Sequence, residues 1–337
     1  MAVTATVRGV EEALEPREPT GELALASALE AARAYAEHSR APATLRAYQR
    51  DFKAFRAWCD KRALDALPAQ PATVAAFLAA QADAGLKPAT IQRRSSAIAA
   101  WHRLAAESNP ADSEQVALVL SGIRRARGVA PQRKHPLRTG PLGELVRAVD
   151  AQLADGTLGE LAARRDRALL LVGFAGALRR GELCALDVED LDLSTDRGLL
   201  VTIARSKTDQ EGAGDLVAVH RGDHEALCAV RAITAWLEAA AITDGAVFRR
   251  MHRGDTVAST RLSAQSVALI VKRHAKAAGL PAPDLAAHSL RAGFATTAAE
   301  QGHAERQIAR VTRHRSMTVL RGYIRPATAF EDSAKVL

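Results

Sequence analysis

A basic segment near the middle of the chain, in which glycines and prolines break regular secondary structure, indicates how many domains the chain can form. No acidic residue occurs between Glu114 and Glu144, and glycine and proline at positions 128, 131, 136 and 140 break regular structure there. A chain of 337 residues is long enough to bury two separate cores. We therefore predict two domains joined by a basic linker over residues 128–140. The lysines and arginines between Glu114 and Glu144 are Arg124, Arg125, Arg127, Arg133, Lys134 and Arg138.

The part before the linker has the pattern of helices. Residues 1–22 combine glutamates with prolines and show no sustained period, which indicates a flexible tail. From residue 23 to 127, apolar side chains recur at helical spacing, as in Leu45, Tyr48 and Phe52. We expect a helical bundle whose basic side chains lie on the outer helix faces.

The part after the linker, residues 141–337, changes its period midway. Helical patterns over 142–153 and 164–177 precede two short apolar segments at 199–203 and 216–220, and helical patterning then returns. A glycine-containing turn separates the two segments, so they predict a small antiparallel sheet. The fold class that follows is mainly α, with a helical bundle and then an α+β domain.

The balance of charges points to a polyanionic partner. Lys and Arg number 46 against 38 Asp and Glu, for a net charge of +8. No run approaches the ~20 apolar residues of a membrane span, and the first residues lack the layout of a signal peptide. Nucleic acid is therefore favoured over a membrane surface. The candidate DNA-backbone contacts are Arg46, Arg50, Lys53, Arg93, Arg94, Arg124, Arg125, Arg133 and Lys134.

The cysteines favour a cytoplasmic protein without disulfide bonds. Cys59, Cys184 and Cys228 are an odd number and widely separated, as is typical of reduced, buried thiols. Neither a CxxC nor an HExxH motif occurs, so we predict no metal site and no cofactor.

Several polar residues in the second part of the chain can each be explained, when taken alone, by an ordinary structural role. Arg179 follows an apolar run, where an arginine can bind the carbonyls at a helix end. His288 and Arg291 are three apart, so they share one face near a helix start, which also attracts anions. His314 and Tyr323 lie in the segment TRHRSMTVLRGYIR, where a tyrosine is usually only a half-buried aromatic.

The order and spacing of these residues carry more information than each one does. Arg179 begins RRGEL, Lys207 lies in the turn sequence RSKTDQ, HSLRAG supplies His-x-x-Arg, and nine positions separate His314 from Tyr323. This combination resembles the tyrosine recombinase, or phage integrase, family, and looks closest to its Cre-like and bacterial integrase branch. The resemblance runs from about Leu45 to the C-terminus. It implies a SAM-like core-binding domain over 23–127 and a catalytic domain over 141–337.

The resemblance implies a role for each matching residue. Arg179 and Arg291 bind the non-bridging oxygens of the scissile phosphate, for which the planar guanidinium is suited. His288 donates to that phosphate or acts as base toward Tyr323, and Lys207 protonates the departing 5′-oxygen. Tyr323 attacks the phosphorus and forms a 3′-phosphotyrosine.

Two further residues complete the implied site. His314 hydrogen-bonds the phosphate and packs beneath it. Glu182 orients the neighbouring basic groups, and an ion pair with a purely structural role is the favoured explanation for it. The resemblance also implies a tetramer on paired, inverted-repeat double-stranded DNA sites, with an assembly segment that begins at about residue 328.

Two other functions use similar features. A type IB topoisomerase has similar catalytic residues and relaxes a nicked strand, although the helical domain over residues 44–127 favours a recombinase. A non-catalytic DNA-binding protein is the alternative from a different class, and the presence of all six catalytic-type residues argues against it. Trapping of a covalent complex on a nicked DNA site distinguishes these functions.

Overall fold

The computed structural model describes residues 41–128, 135–204, 214–325, 327–329 and 333–334. The chain divides into two compact units, Met1–Pro131 and Gln132–Leu337. The predicted tail at 1–22 lies outside the described residues, as do Arg133 and Lys134 in the predicted linker. Within the part of the chain that the structure describes, no helix is both long and apolar enough to cross a membrane.

The first unit is a bundle of four helices among the described residues. They are α1 (Pro42–Asp60), α2 (Pro71–Asp83), α3 (Pro88–Leu104) and α4 (Glu114–Arg127), with a 3-10 turn at Pro110–Asp112. Each of the first three begins with a proline, which has a fixed φ and needs no amide partner at a helix start. Helix α4 begins after Ser113, whose hydroxyl accepts a hydrogen bond from Val116 N, and Gly128 follows its last residue as the C-cap.

The core of this bundle is aromatic at its centre. Phe55 and Phe77 are buried, with ring centroids 5.0 Å apart. Ile91 and Ile98 of α3 are fully buried beside them. The predicted helical bundle is therefore confirmed for the described residues.

The second unit contains eight helices and five strands among the described residues. Its elements are, in order, α5 (Thr139–Ala154), α6 (Glu160–Ala175), α7 (Arg180–Ala185), β1 (Leu191–Asp192), β2 (Gly198–Ile203), β3 (Asp215–His220), α8 (Ala229–Ala239), β4 (Arg249–Met251), β5 (Val257–Arg261), α9 (Ala264–Ala277), α10 (Ala287–Glu300), α11 (Glu305–Thr312) and α12 (Met317–Ile324). Short 3-10 turns lie at Val188–Asp190, Glu225–Leu227 and Ala282–Asp284. The mainly α class with a small antiparallel sheet is confirmed.

The predicted sheet forms from the two predicted segments. Strands β1, β2 and β3 are antiparallel in that order, and Leu200 pairs with Ala218 in the centre of β2 and β3. Val201 and Val217 are buried. Residues 205–213, between β2 and β3, lie outside the described residues, and the predicted turn with Lys207 falls among them.

Helix α6 forms the centre of the second core. Its residues 168–172 are buried on every side, against α8, α10 and α5. A continuous apolar run fits this position because a helix surrounded by other helices has no polar face. The deep burial anticipated from the run Ala168–Ala177 is observed except at Phe174 and Ala175, which are partly buried. The helix ends at Ala175, and Ala177 has a left-handed φ of 45°.

The start of α6 is stabilised from a distant part of the chain. The Asp255 carboxylate, in the turn between β4 and β5, accepts hydrogen bonds from Leu161 N at 2.7 Å and Ala162 N at 2.9 Å. This cap explains why α6 begins at Glu160, earlier than the predicted residue 164. The close approach needs Gly159, because a Cβ there lies 2.1 Å from Asp255 Cγ. The β4–β5 hairpin itself was not predicted.

The chain that enters the second unit crosses helix α10. Leu137 is fully buried, and its amide donates to Ser289 O at 2.9 Å. A Cβ on Gly293 would lie 1.9 Å from Leu137 O, so only glycine permits this crossing. The incoming chain therefore fixes α10, and α5 begins at Thr139, two residues before the predicted start of the domain.

Candidate active site

Arg179 and Glu182 form the first part of the site. Arg179 lies after the end of α6 and immediately before α7, so it does not extend the buried helix. The Glu182 carboxylate accepts hydrogen bonds from Arg179 N at 2.8 Å and from Arg179 Nη1 at 2.6 Å. Glu182 is 4% exposed. The pair thus holds the guanidinium of Arg179 in one orientation.

A second arginine contacts the same carboxylate. Arg313 Nη2 donates to Glu182 Oε2 at 2.5 Å. Burial alone raises the pKa of Glu182, but the positive charges of Arg313 and Arg179 and the hydrogen bonds that Arg179 donates hold it below its ordinary value. Glu182 is therefore ionised and carries a negative charge between two guanidinium groups.

Arg291 is buried without a negative partner of its own among the described residues. It lies on α10, is 2% exposed, and its Nη1 donates to Ala177 O at 2.8 Å. Its Nη2 has no hydrogen-bond partner in that same part of the chain. Burial, and then the charges of Arg179 and Arg313, lower the pKa of Arg291 to about 9. A buried guanidinium with an unused donor and like-charged neighbours requires an anion.

The tyrosine and the first histidine are in direct contact. Tyr323 Oη lies 2.7 Å from His288 Nε2, and the ring centroids are 5.8 Å apart. His288 is the second residue of α10 and Tyr323 is near the end of α12. Thr296 Oγ1 donates to Tyr323 O at 3.2 Å, which ties the two helices together at a second point. When Nε2 carries no proton, His288 can accept the proton of the Tyr323 hydroxyl.

His314 lies on the other side of the tyrosine. Its ring centroid is 5.9 Å from that of Tyr323, and its Nδ1 is 2.8 Å from Thr312 Oγ1. The Thr312 hydroxyl donates to Ile308 O at 2.7 Å, so it accepts from His314 Nδ1–H. Burial, and then the charges of Arg291 and Arg179, lower the pKa of His314 to about 4. The imidazole is therefore neutral at pH 7, and its Nε2 is an acceptor until it gains a proton.

The structure brings most of the predicted catalytic residues together. Arg179, Glu182, Arg291 and His314 interact through hydrogen bonds or charge, and His288 and Tyr323 contact each other beside them. Lys207 lies outside the described residues. The structural ion pair favoured for Glu182 is present.

The predicted DNA contacts of the first unit differ in their surroundings. Arg46, Arg50 and Lys53 lie along α1, and all three are exposed. Arg124 and Arg125 are exposed near the end of α4. Arg124 Nη1 also donates to Gln92 Oε1 at 3.3 Å.

Two further arginines of this set are engaged within the bundle. Arg93 binds the buried Asp51 carboxylate through Nε at 2.6 Å and Nη2 at 3.2 Å. Arg94 hydrogen-bonds Gln81 and is mostly buried. The sequence around Asp51 does not indicate this pairing, because helical spacing does not reveal contacts between helices.

Sequence reasoning did not single out Arg313. It stands beside His314, and nothing in the local pattern distinguishes a buried arginine from an exposed one. The available signal was its place directly after the end of helix α11, where the backbone often turns left-handed and glycine is usual. Arg313 has φ 51°.

Family comparisons agree with this site. Residues 144–329 match the model of the phage integrase family, and residues 32–109 match that of the phage integrase N-terminal SAM-like domain. The chain is 38% identical to the integrase/recombinase xerD homolog of Selenomonas ruminantium, over 88% of this chain and 86% of that protein. It is 30% identical to the tyrosine recombinase XerC of Xanthomonas axonopodis pv. citri, over 75% of this chain and 76% of that protein.

Solved structures share the fold. A lambda integrase dimer bound to a COC′ core site matches with a TM-score of 0.56 at 22% identity, over 90% of this chain and 96% of that one. The Tn1549 transposon integrase in complex with transposon right end DNA matches with a TM-score of 0.60 at 15% identity, over 89% and 96%. With two family models matched in order and a relative at 38% identity over most of both chains, this chain belongs to the phage integrase family of tyrosine recombinases.

Proposed function

We propose that this chain is a site-specific recombinase that cleaves and rejoins double-stranded DNA through a covalent 3′-phosphotyrosine at Tyr323. The observation that carries the proposal is the 2.7 Å contact between Tyr323 Oη and His288 Nε2, beside a buried arginine with an unused donor. A nucleophile, a base and a cationic anion site are the three parts that phosphoryl transfer to a tyrosine requires.

The charges of the site suit a phosphodiester. Three guanidinium groups, of Arg179, Arg291 and Arg313, face one carboxylate, that of Glu182. These four groups together have an excess of two positive charges. A phosphodiester carries one negative charge, and its pentacoordinate transition state gains a second. Preorganised donors that match the charge of the transition state lower the barrier.

The first step follows from the contacts. The unperturbed pKa of tyrosine is about 10, so the hydroxyl needs a base at neutral pH. His288 accepts that proton as the Tyr323 oxygen bonds to phosphorus and the bond from phosphorus to the 5′-oxygen breaks. We assign the proton for the departing 5′-oxygen to Lys207. His314 donates to a phosphate oxygen once its Nε2 has gained a proton, which a bound anion favours by raising its pKa.

The second step is the reverse of the first with another strand. The phosphotyrosine ester keeps the energy of the broken bond, so a 5′-hydroxyl from a second DNA strand displaces Tyr323 without ATP. Repeated on paired sites, this reaction recombines two duplexes.

We assign DNA binding to both units and to the residues between them. The helical unit supplies basic side chains on α1 and α4, and the basic linker at 128–140 adds sequence-independent contacts. Arg93 contacts DNA only through the part of its side chain that stays exposed beside Asp51. The partner is double-stranded DNA with inverted-repeat sites, on which the protein assembles as a tetramer through a segment from about residue 328. The setting is the bacterial cytoplasm.

The experiment begins with capture of the DNA site. The protein is incubated with fragmented DNA of its own genome, denatured, and the covalently attached fragments are sequenced at their ends. The recovered site is then made with a nick beside the scissile phosphate, so that the released strand diffuses away and the adduct accumulates. Wild-type protein is expected to form a denaturation-resistant adduct.

Two variants control this assay. Tyr323→Phe removes only the nucleophilic oxygen, so it is expected to bind the site and form no adduct. Arg291→Lys keeps a positive charge but loses the planar fork, and we expect cleavage to slow about 100-fold or more. An adduct formed by the Phe variant ends the assignment of Tyr323. Relaxation of plasmids without exchange between two sites indicates a topoisomerase instead.

A further inference from the structure

Arg313 occupies a backbone position that arginine rarely adopts. It follows α11 with φ 51° and ψ 46°, in the left-handed region where a side chain crowds the following carbonyl. Arg313 is 8% exposed, so its side chain does not extend across the surface to a distant phosphate. An arginine held in this conformation and buried is stabilised by what its side chain and carbonyl contact.

Those contacts close a ring of three residues. Arg179 Nη1 donates to Glu182 Oε1 at 2.6 Å, and Arg313 Nη2 donates to Glu182 Oε2 at 2.5 Å. Arg179 Nη2 then donates to Arg313 O at 3.1 Å. The guanidinium and the backbone carbonyl of Arg313 thus both contact the Arg179–Glu182 pair, and the left-handed backbone conformation directs the carbonyl toward Arg179.

The remaining contacts anchor the ring to the core. Arg313 Nη1 donates to Val311 O at 2.7 Å and to Gly176 O at 3.4 Å, close to the end of α6. Its Nε has no partner among the described residues. The next residue in the chain is His314, whose ring lies beside Tyr323. A substitution at Arg313 therefore affects the positions of both Arg179 and His314.

We propose that Arg313 is a positioning residue for DNA cleavage: by closing the ring with Glu182 it holds the Arg179 guanidinium in the orientation that receives the scissile phosphate. This inference rests on the proposed function of the site. Arg313 acts through Arg179 and Glu182, since its own donors are directed to protein oxygens or buried.

If the ring positions Arg179, removing Arg313 changes the pH dependence of DNA cleavage. A merely structural role for Arg313 predicts no such change. The charged groups that face Glu182 are Arg179 and Arg313, with Arg291 nearby on α10. The charge of Arg313 contributes most to lowering the pKa of Glu182. Without it, the carboxyl becomes protonated at a higher pH than in the wild type. A neutral Glu182 binds Arg179 less firmly. Cleavage therefore declines on acidification at a higher pH than in the wild type.

The main test variant is Arg313→Gly. Glycine adopts φ 51° without strain, so the turn is kept while the side chain is removed. Cleavage is measured in a single turnover on the nicked site with saturating DNA, which removes differences in affinity. We expect the rate to fall about 10- to 100-fold, the size of effect that a displaced catalytic group produces. Arg310→Ala, which removes an exposed arginine three residues earlier, is the matched control and should cleave like the wild type.

The acidic side of the pH–rate profile is then compared in two backgrounds. When Glu182 is present, Arg313→Gly is expected to move the acidic side of the profile to higher pH. In the Glu182→Gln background position 182 has no carboxyl to titrate, so Arg313→Gly is expected to leave the acidic side unchanged. This comparison also separates Glu182 from His314, whose pKa rises with the loss of Arg313 in both backgrounds. Arg313→Lys, which restores one donor to Glu182, should recover part of the rate and the wild-type acidic side.

Three outcomes overturn the inference. One is cleavage by Arg313→Gly within about twofold of the wild type. Another is an acidic side of the profile that shifts equally in both backgrounds. The third is that Arg313→Gly and Arg313→Lys lose cleavage only in proportion to their folded fraction, measured by circular dichroism, with unchanged pH profiles. Failure of the wild type to form an adduct instead refutes the proposed function, so the two failures are distinguishable.

Discussion

Replacement of Arg291 by methionine is expected to stabilise the DNA-free protein while it abolishes DNA cleavage. Arg291 is 2% exposed, with Arg179 and Arg313 as like-charged neighbours. Methionine is about as long as the aliphatic stem of arginine and has no charge, so it fills the space of that stem without the cost of burying an ion. A residue whose loss improves stability and removes activity is retained for its chemistry.

The magnitude follows from the surroundings of Arg291. Burial, and then the charges of the neighbouring arginines, lower its pKa far below the ordinary value of a guanidinium, to about 9. At about 1.4 kcal/mol for each pKa unit, the folded protein disfavours the charged guanidinium by roughly 5 kcal/mol. Methionine also removes the hydrogen bond to Ala177 O, which contributes about 1.5–3 kcal/mol. The balance is a gain of about 2–3.5 kcal/mol, or roughly 4–14 °C in Tm for a unit of this size.

The assay is thermal unfolding in anion-poor buffer and again with inorganic phosphate. Phosphate is expected to raise the Tm of the wild type more than that of Arg291→Met, since an anion that binds only the folded protein stabilises it. Arg165→Met is the matched control. Arg165 is 5% exposed but donates to the Asp166 carboxylate at 2.9 and 2.6 Å, so its loss leaves a buried charge and costs about 3–5 kcal/mol.

The two variants should therefore shift the Tm in opposite directions. If Arg291→Met melts several degrees below the wild type without phosphate, the guanidinium is already compensated within the folded protein. The argument that the site requires an anion then fails.

Four other changes test separate parts of the molecule. Lys207→Ala should cleave slowly, and a substrate with sulfur in place of the 5′-bridging oxygen should restore its rate, because a thiolate leaves without a proton. Asp255→Ala should lower the free energy of unfolding in urea by about 1–2 kcal/mol through removal of the α6 cap, with Asp255→Asn less affected. Joint replacement of Arg133 and Lys134 by Gln should reduce the slope of log K against log salt by roughly 0.9 for each DNA phosphate that these two side chains neutralise in the wild type. Deletion of the residues after Ala327 should leave binding to a single site intact while cooperative binding and recombination decline together; recombination at the wild-type rate refutes an assembly role.

The parts of the fold that were predictable are those in which local pattern and tertiary environment agree. The apolar run before Arg179 was expected to be buried, and α6 is surrounded by other helices. The two segments that became β2 and β3 were predicted within one residue of their observed starts, since the change from helical spacing to short apolar segments with a glycine turn is a local signal. For the same reason, the fixed order of six polar residues identified most of the site.

The parts that were not predictable depend on contacts between distant residues. The cap that Asp255 provides joins positions more than 90 residues apart and has no local signature. Arg94 and Arg93 look alike in sequence, yet only Arg93 forms a bidentate pair with Asp51 among the described residues. Arg313 is hidden for the same reason, because its burial depends on Glu182 and on the end of α6.

The two halves of the candidate site differ in how firmly they are held. Arg179 and Arg291 belong to segments fixed by the large core around α6, through the ring with Glu182 and the contact with Ala177 O. Tyr323 instead lies on α12, an eight-residue helix that packs on α10 through a small cluster including Leu320 and Ile324. A helix this short is marginal in isolation, so its position depends on that cluster and on what else contacts it. In the proposed function, the arginines that bind the phosphate are thus held by the large core, whereas Tyr323, the proposed nucleophile, lies on a short helix held by a small cluster. For the recombinase that we propose, this arrangement allows binding of DNA to precede cleavage, and α12 is the element through which the proposed assembly on paired sites would select the subunit that cuts.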